Sequence, residues 1–271
     1  FRTCGKYYVY DVPKNVILKV NRDTYNEIKE LSAAEQCEYR GNNEIIKELQ
    51  NEGYLSSQYI EMIEHPMTRN IESALGNSVH MLTLQVTQNC NLRCKYCVYS
   101  GSYINRKHNN KRMSFETAKK AIDYYILHSS QMPKLRFGFY GGEPTLEMEL
   151  IRKCVSYING CSLGKPVEYN LTTNATILNK DIVQFFIDNQ FYLTISLDGS
   201  KKIQDKNRVY AESGKGTFDK VIENIGWLRK DFPDFLQRVH FNMVMDPVDG
   251  YRDSNEFFMR DERVKGIEVN A

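Results

Sequence analysis

The sequence predicts an α/β protein built on a parallel sheet, and three observations predict it. From about Met81 onward, β-rich runs alternate with helical apolar patterns at regular intervals, the order that parallel strands joined by helical crossovers require. The polar, glycine-rich and cysteine-rich stretches fall at the carboxyl ends of those runs, where α/β folds keep their sites. Before Met81 the pattern differs, with strands first and then helices, so the 271 residues read as two domains.

The first domain is expected over residues 1–55. Two β-rich runs at 6–10 and 16–20 flank Asp11-Val12-Pro13-Lys14-Asn15, which suits a hairpin with a proline in its turn. Helices follow at about 24–31 and 44–50, the second with Ile45, Ile46 and Leu49 on one face before Gly53 stops it. Residues 56–78 carry the breakers His65-Pro66 and Gly76-Asn77-Ser78 and read as a linker. The second domain is then 79–271. Its strands are expected at 82–87, 135–140, 167–172, 192–197, 239–245 and 266–270. Between them, Phe115, Ala118, Ile122 and Tyr125 step at helical spacing behind a Ser114 cap, and Met148, Ile151, Val155 and Ile158 repeat the rhythm. Ile182 with Phe185, then Val221, Ile222, Ile225 and Leu228 behind a Thr217 cap, mark two more helices, and residues 254–260 a weaker fifth. Such units wind into a barrel or a doubly wound sheet, and periodicity does not choose between them.

Composition narrows the partners. Thirty-six basic against 34 acidic residues leave a net charge of +2, without the basic excess that nucleic acid or a membrane surface would call for. No run of 18 apolar residues exists, and Phe1-Arg2-Thr3-Cys4-Gly5 lacks the order of a signal peptide, so the expected location is cytoplasmic. Of seven cysteines, three are clustered, which in a reducing compartment reads as metal ligation and not as a disulfide framework. Cys4, Cys37, Cys154 and Cys161 are expected to be core fillers or surface thiols.

Each polar motif sits where a predicted strand ends. Strand one runs into Cys90-Asn91-Leu92-Arg93-Cys94-Lys95-Tyr96-Cys97, strand two into Gly141-Gly142-Glu143-Pro144, and strand three into Thr172-Thr173-Asn174. Strand four ends in Ser196-Leu197-Asp198-Gly199 and strand five in Met245-Asp246. Five such loops would converge on one rim. Cys90, Cys94 and Cys97 leave a tetrahedral metal unit one ligand short, so an iron–sulfur cluster held by them would keep one iron open. A zinc knot with His108 as fourth ligand competes, although zinc sites usually build from two close pairs, and residues 105–112 read more simply as a solvated loop.

The cysteine spacing with Tyr96 before the last cysteine, followed one strand later by Gly-Gly-Glu-Pro, resembles the radical S-adenosylmethionine (radical SAM) superfamily. The resemblance implies that Cys90, Cys94 and Cys97 hold three irons of a [4Fe–4S] cluster while SAM chelates the fourth. Reductive cleavage of SAM would give a 5′-deoxyadenosyl radical that removes hydrogen from an unactivated C–H bond. It further implies that Gly141 and Gly142 receive the SAM amino group with Glu143 as anionic partner, and that Ser196 and Arg208 bind its carboxylate. Asn174 and Tyr140 would reach the ribose and methionyl parts. Tyr96 would flank the adenine, with Met243, Val244 and Met245 behind it, and Asp198 reads as either a site or a turn residue.

Gly-Gly-Glu-Pro-Thr, Thr-Thr-Asn and Ser-Leu-Asp-Gly together resemble the branch with a C-terminal extension of auxiliary [4Fe–4S] clusters, called SPASM or twitch. That branch includes maturases of ribosomally made peptides, the thioether-forming sactipeptide and ranthipeptide enzymes among them. The implied architecture is a partial (β/α)6 TIM-like barrel at 79–271 preceded by a winged-helix-like α+β domain that binds the leader of a precursor peptide by strand addition. A capping domain and a DNA-binding winged helix compete, the latter poorly, since Glu27, Glu30, Glu44, Glu48 and Glu52 suit no phosphate backbone. The expected activity is that of an oxidoreductase, fed electrons by flavodoxin or ferredoxin, that forms a cysteine thioether cross-link. Carbon–carbon cross-linking, oxidation of one side chain as in sulfatase maturases, and a non-catalytic iron–sulfur or zinc sensor are the alternatives. Either the enzyme lacks auxiliary clusters or, the reading favoured here, the chain is a fragment whose cysteine-rich extension and any catalytic base lie beyond Ala271.

Overall fold

The computed structural model describes residues 1–33, 39, 41–56, 64–100, 107–245 and 250–270. Cys37, Asn105, Arg106 and Asp246 lie outside the described residues, as does the middle of the expected linker. Two compact units divide the chain, Phe1–Arg69 and Asn70–Ala271.

In the first unit, β1 (Arg2–Thr3), β2 (Lys6–Asp11) and β3 (Val16–Val20) form an antiparallel sheet in that order. The hairpin turn closes because the buried Asp11 carboxylate accepts from Lys14 N at 2.8 Å, while Asn15 takes a left-handed φ of 53°. Two helices follow, α1 (Arg22–Ala33) and α2 (Glu44–Asn51). Asn43 caps α2 by accepting from Ile45 N and Ile46 N, and Ile46 is wholly buried. Two-residue β1 is too short to leave a pattern in sequence. The winged-helix assignment rests on the resemblance alone.

The second unit opens with α3 (Ile71–Asn77), a helix inside the segment that the breakers had suggested was linker. It is tied to this unit, since Gln131 N donates to Asn77 O and Val79 N to His128 O, each at 3.0 Å. Then strands and helices alternate: β4 (Leu82–Thr87), α4 (Phe115–Leu127), β5 (Leu135–Gly141), α5 (Met148–Cys161), β6 (Val167–Thr173), α6 (Lys180–Asp188), β7 (Phe191–Ser196), α7 (Lys201–Asn207), α8 (Phe218–Asp231), β8 (Val239–Asn242), α9 (Tyr251–Arg260) and β9 (Glu268–Asn270). All six strands pair in parallel in sequence order, β4 to β9. Right-handed crossovers that always step the same way put the helices on one face. That is barrel-type winding, because a doubly wound sheet reverses its strand order. With β4 and β9 left as edges, the barrel is open.

The core lies between helices and sheet. Phe137, Phe139, Tyr169, Leu171, Phe191, Leu193, Ile195 and Phe241 are each 2% exposed or less, and Phe137 meets Tyr125 of α4 edge-on at 5.0 Å. Three local readings change. Helix α7 carries no apolar rhythm and was not expected. Thr217 stands at the start of α8, yet its hydroxyl donates to Arg208 O at 3.0 Å instead of capping the helix. Finally, β8 stops at Asn242 and not near Met245, because Val244 N turns to the Asp198 carboxylate at 3.0 Å.

Candidate active site

The site begins with a break in strand pairing. Gln85 pairs with Tyr140 and Thr87 with Gly141, so β4 gains one residue on β5 and bulges as it enters the cysteine loop. Gly141 and Gly142 follow that bulge closely. A Cβ on Gly142 would come within 2.1 Å of Asn89 O, and one on Gly141, at φ 145°, within 2.2 Å of Thr87 O. The glycines therefore clear the way for the chain itself. Gly142 N donates to Thr87 O and Glu143 N to Asn89 O, both at 2.9 Å, which pins the start of the cysteine loop to the end of β5. The atoms that crowd these two positions belong to residues 87–89, so the absence of a side chain is required by the chain's own packing whatever the cavity holds.

The other side of the loop is held by the segment after α7. Arg93 N donates to Val209 O at 2.8 Å, Lys95 N to Asn207 O at 3.0 Å and Ala211 N to Asn91 O at 2.9 Å. Leu92 is buried, and its N–H points to Cys90 Sγ at 3.3 Å. The loop is thus clamped between the end of β5 and the segment after α7, which are distant in sequence.

Eleven of the residues expected from sequence line one cavity of about 340 Å3: Cys90, Cys94, Cys97, Tyr96, Tyr140, Gly141, Gly142, Glu143, Asn174, Ser196 and Arg208. That volume falls in the range of small-molecule pockets, roughly 300–1,000 Å3. Several contacts differ from those expected. Glu143 is 1% exposed, and Oε1 accepts from Thr145 N, Thr145 Oγ1 and Thr173 Oγ1 while Oε2 accepts from Asn174 N at 2.7 Å. It joins the ends of β5 and β6. Burial pushes its carboxyl above the usual range despite these four donors. Asn174 spends its amide on the cysteine loop, donating to Asn91 Oδ1 at 2.9 Å, and its carbonyl accepts from Thr176.

Asp198, which the sequence left undecided, is a hub with no exposed surface. It accepts from Arg208 Nε at 3.0 Å, Arg208 Nη2 at 3.2 Å, Val244 N and the Tyr96 hydroxyl. Burial works against the Arg208 charge, and the neighbouring Asp198 more than restores it, so the guanidinium is held above its ordinary range. Burial also raises Tyr96, lifts the Cys94 thiol and pushes the Cys90 thiol up to about 12.

Gln85, Leu92, Val98, Tyr99, His108, Thr172, Thr173 and Asn242 also line the cavity, and of these the sequence had singled out only Thr172 and Thr173, as part of a strand-end motif, and His108, as a zinc ligand. Alternation along the strands could have found three of them, since Gln85, Thr172 and Asn242 share the strand face of Tyr140 and Ser196, while Thr173 ends β6 on the other face. The sequence offered His108 only as a competing zinc ligand. It stands in the cavity wall, not in a solvated loop, with Nε2 at 2.7 Å from Ser100 Oγ. Burial lowers its pKa. Val244 lines the cavity as expected, while Met243 and Met245 are not among its lining residues.

Among the described residues, no three His, Cys, Asp or Glu side chains are gathered so as to hold one metal ion. A zinc knot needs that arrangement. A cubane does not, because each of its cysteines binds a different iron. Three thiols opening on one cavity, with no fourth cysteine lining it among the described residues, fit a [4Fe–4S] cluster with one iron left for a small molecule.

A single parallel sheet with three thiols at the carboxyl ends of its strands defines a class of metal-cluster α/β protein. The chain belongs to the radical SAM superfamily, whose family model matches residues 84–258. The cofactors of that family are a [4Fe–4S] cluster and SAM. The chain is 35% identical over 155 residues to the cysteine-type anaerobic sulfatase-maturating enzyme of Clostridium novyi, covering 56% of this chain and 41% of that protein. It is 22% identical over 252 residues to the radical SAM cyclopropyl synthase TigE of Paramaledivibacter caminithermalis, covering 88% and 49%. The second unit makes up about three quarters of the 271 residues, so the TigE alignment must run into the first. The solved structure of native anSMEcpe with bound AdoMet shares the fold, with a TM-score of 0.57 and 24% identity over 66% of this chain and 48% of that one. A further anSMEcpe structure also holds the Cp18Cys peptide. The chain spans about half the length of the curated relatives it matches. No helix among the described residues is long and apolar enough to cross a membrane.

Proposed function

We propose that this chain is the radical SAM portion of a peptide-modifying enzyme. The observation that carries the reading is the convergence of Cys90, Cys94, Cys97, Ser196 and Arg208 on one cavity. The three cysteines would hold the cluster, and Tyr96, Tyr140, Gly141, Gly142, Glu143, Asn174, Ser196 and Arg208 would surround SAM. When bound, the two cofactors supply a 5′-deoxyadenosyl radical able to take a hydrogen atom from an unactivated C–H bond. The chain's own part is to hold and shield. Arg208, 7% exposed, brings a fixed cation to the wall where a carboxylate would sit, and Glu143 with Asn174 keeps the cysteine loop registered on β6.

A peptide substrate is supported by the relatives named as sulfatase-maturating enzymes and by the neighbour that binds a peptide. Among the described residues no strand pairs with the outer edge of β3, which would take a leader strand, the partner being a ribosomally made precursor. Flavodoxin or ferredoxin would deliver the electron. A cysteine thioether cross-link is the product we favour. Carbon–carbon bond formation is the second reading, favoured by the likeness to a cyclopropyl synthase that extends over both units.

The test uses reconstituted, dithionite-reduced protein with SAM and a short cysteine-containing peptide encoded beside its gene. We expect 5′-deoxyadenosine and a peptide lighter by two hydrogens that reductant does not restore. A thioether consumes the thiol, whereas a carbon–carbon bond leaves it open to alkylation. Absence of 5′-deoxyadenosine would sink the enzyme reading.

A further inference from the structure

Two residues given separate tasks, Tyr96 beside the adenine and Arg208 on the carboxylate, meet on one buried carboxylate. Asp198 takes both Nε and Nη2 of Arg208, which leaves Nη1 as the nitrogen not spent on it. A two-pronged grip on a second carboxylate through that same edge is therefore unavailable. Asp198 also accepts the Tyr96 hydroxyl, and the Arg208 guanidinium lies 5.3 Å from the Tyr96 ring centre. Tyr96 stands between Cys94 and Cys97 in the chain, and the backbone on either side of Arg208 bonds to Arg93 and Lys95 on either side of Cys94.

Asp198 itself cannot shift. Its N–H donates to Gln204 Oε1 at 2.9 Å, its carbonyl accepts from Ser254 Oγ at 2.8 Å, and Val244 N, two residues past β8, holds the carboxylate. Gly199 beside it has φ 139°, and a Cβ there would fall 2.4 Å from Ser254 Oγ, so α9 packs directly on this turn. A carboxylate so fully satisfied and wholly buried is a rigid reference point. Burying it with a guanidinium is weak evidence for stability alone, since such a pair often does no better than apolar residues of the same shape.

We propose that Asp198 is a positioning residue that makes the SAM seat and the Cys94–Cys97 half of the cluster loop one unit, orienting Arg208 through both carboxylate oxygens and bracing Tyr96 through Oδ2, the oxygen that also takes Arg208 Nε. This rests on the SAM seat proposed above. It assigns Tyr96 a role through its hydroxyl that an adenine-flanking ring would not need. The phenol braces the loop, and a phenylalanine there would keep the ring and lose the brace.

Tyr96→Phe, Asp198→Asn and the double variant, each as reconstituted full chain, test this. Iron and sulfide per chain report the cluster, equilibrium binding reports SAM, and the change in the electron paramagnetic resonance signal of the reduced cluster on adding SAM reports its seating. Losing one hydrogen bond should weaken SAM binding roughly fivefold in Tyr96→Phe, and losing the charged partner roughly twentyfold in Asp198→Asn, with cluster content kept. The double variant should match Asp198→Asn, because the hydroxyl acts only through the carboxylate. Unchanged SAM affinity in the single variants, or losses that multiply in the double, would overturn the proposal. Should Asp198→Asn fail to fold, Tyr96→Phe decides alone, and unchanged affinity and unchanged signal overturn it. A parent protein that holds its cluster but binds no SAM would refute the proposed function instead. The brace would then be judged from melting temperatures, where additive losses would count against it.

Discussion

Successive residues along β5, β6, β7 and β8 go to opposite faces of the sheet, and the two faces are made of different chemistry. Phe137, Phe139, Tyr169, Leu171, Leu193, Ile195 and Phe241 pack under the helices and are buried. The residues between them, Arg136, Tyr140, Asn170, Thr172, Thr194, Ser196 and Asn242, are polar or aromatic and partly or fully exposed. A parallel sheet covered on both faces would be apolar throughout. Here the half-polar pattern marks a face that stays wet or meets a ligand, and at its carboxyl end lies the thiol-lined cavity. The difference teaches where stability and chemistry reside: burial under the helices holds the fold, and directional bonds at the strand ends hold the site.

That division can be broken from either side. Phe191 is fully buried and stacks on Tyr169 at 5.0 Å, so Phe191→Ala should cost about 3–5 kcal/mol in chemical denaturation while folded protein still takes up iron. Gly142→Ala should cost about 1–3 kcal/mol by forcing a methyl against the backbone at Asn89. Its signature is different, because displacing the cysteine loop should abolish cluster uptake at temperatures where the protein remains folded.

A pH effect sharpens the boundary. The folded Glu143 carboxyl binds its proton more tightly than the unfolded one, whose value is 4.5, so its contribution is fully present below that value and lost as pH rises through the raised one. Glu143→Gln should flatten this fall in stability above pH 4.5, as read from denaturation midpoints across a pH series. Smallest of all, Thr194→Ala on the uncovered face should change stability by no more than about 0.5 kcal/mol. A loss like that of Phe191→Ala would mean that this face is packed after all.

Much of this was legible in the sequence. In the second unit six strands and five of the helices were placed from periodicity, because core-facing side chains repeat at the spacing of the element that carries them. The cysteine triplet, the glycine pair and the serine and asparagine of the later loops were readable as candidates for one rim, since each lies at a strand end and parallel strands end together, whereas Arg208, which follows α7, was named only through the family resemblance. Short elements escaped: β1, α3 and α7 span too few residues to repeat anything.

What the chain order by itself determined is the set of residues delivered to that rim and the parallel winding that delivers them. Only the tertiary structure decided how they are used. It showed that the glycines clear backbone at Thr87 and Asn89, that Glu143 and Asn174 bind their own loops, and that Asp198 joins Tyr96 to Arg208. It also brought His108 into the wall from a segment with no readable pattern. The physical reason is range. Periodicity records each residue's relation to its own helix or strand, whereas a buried carboxylate must find donors wherever the fold supplies them, here 102 and 10 residues away.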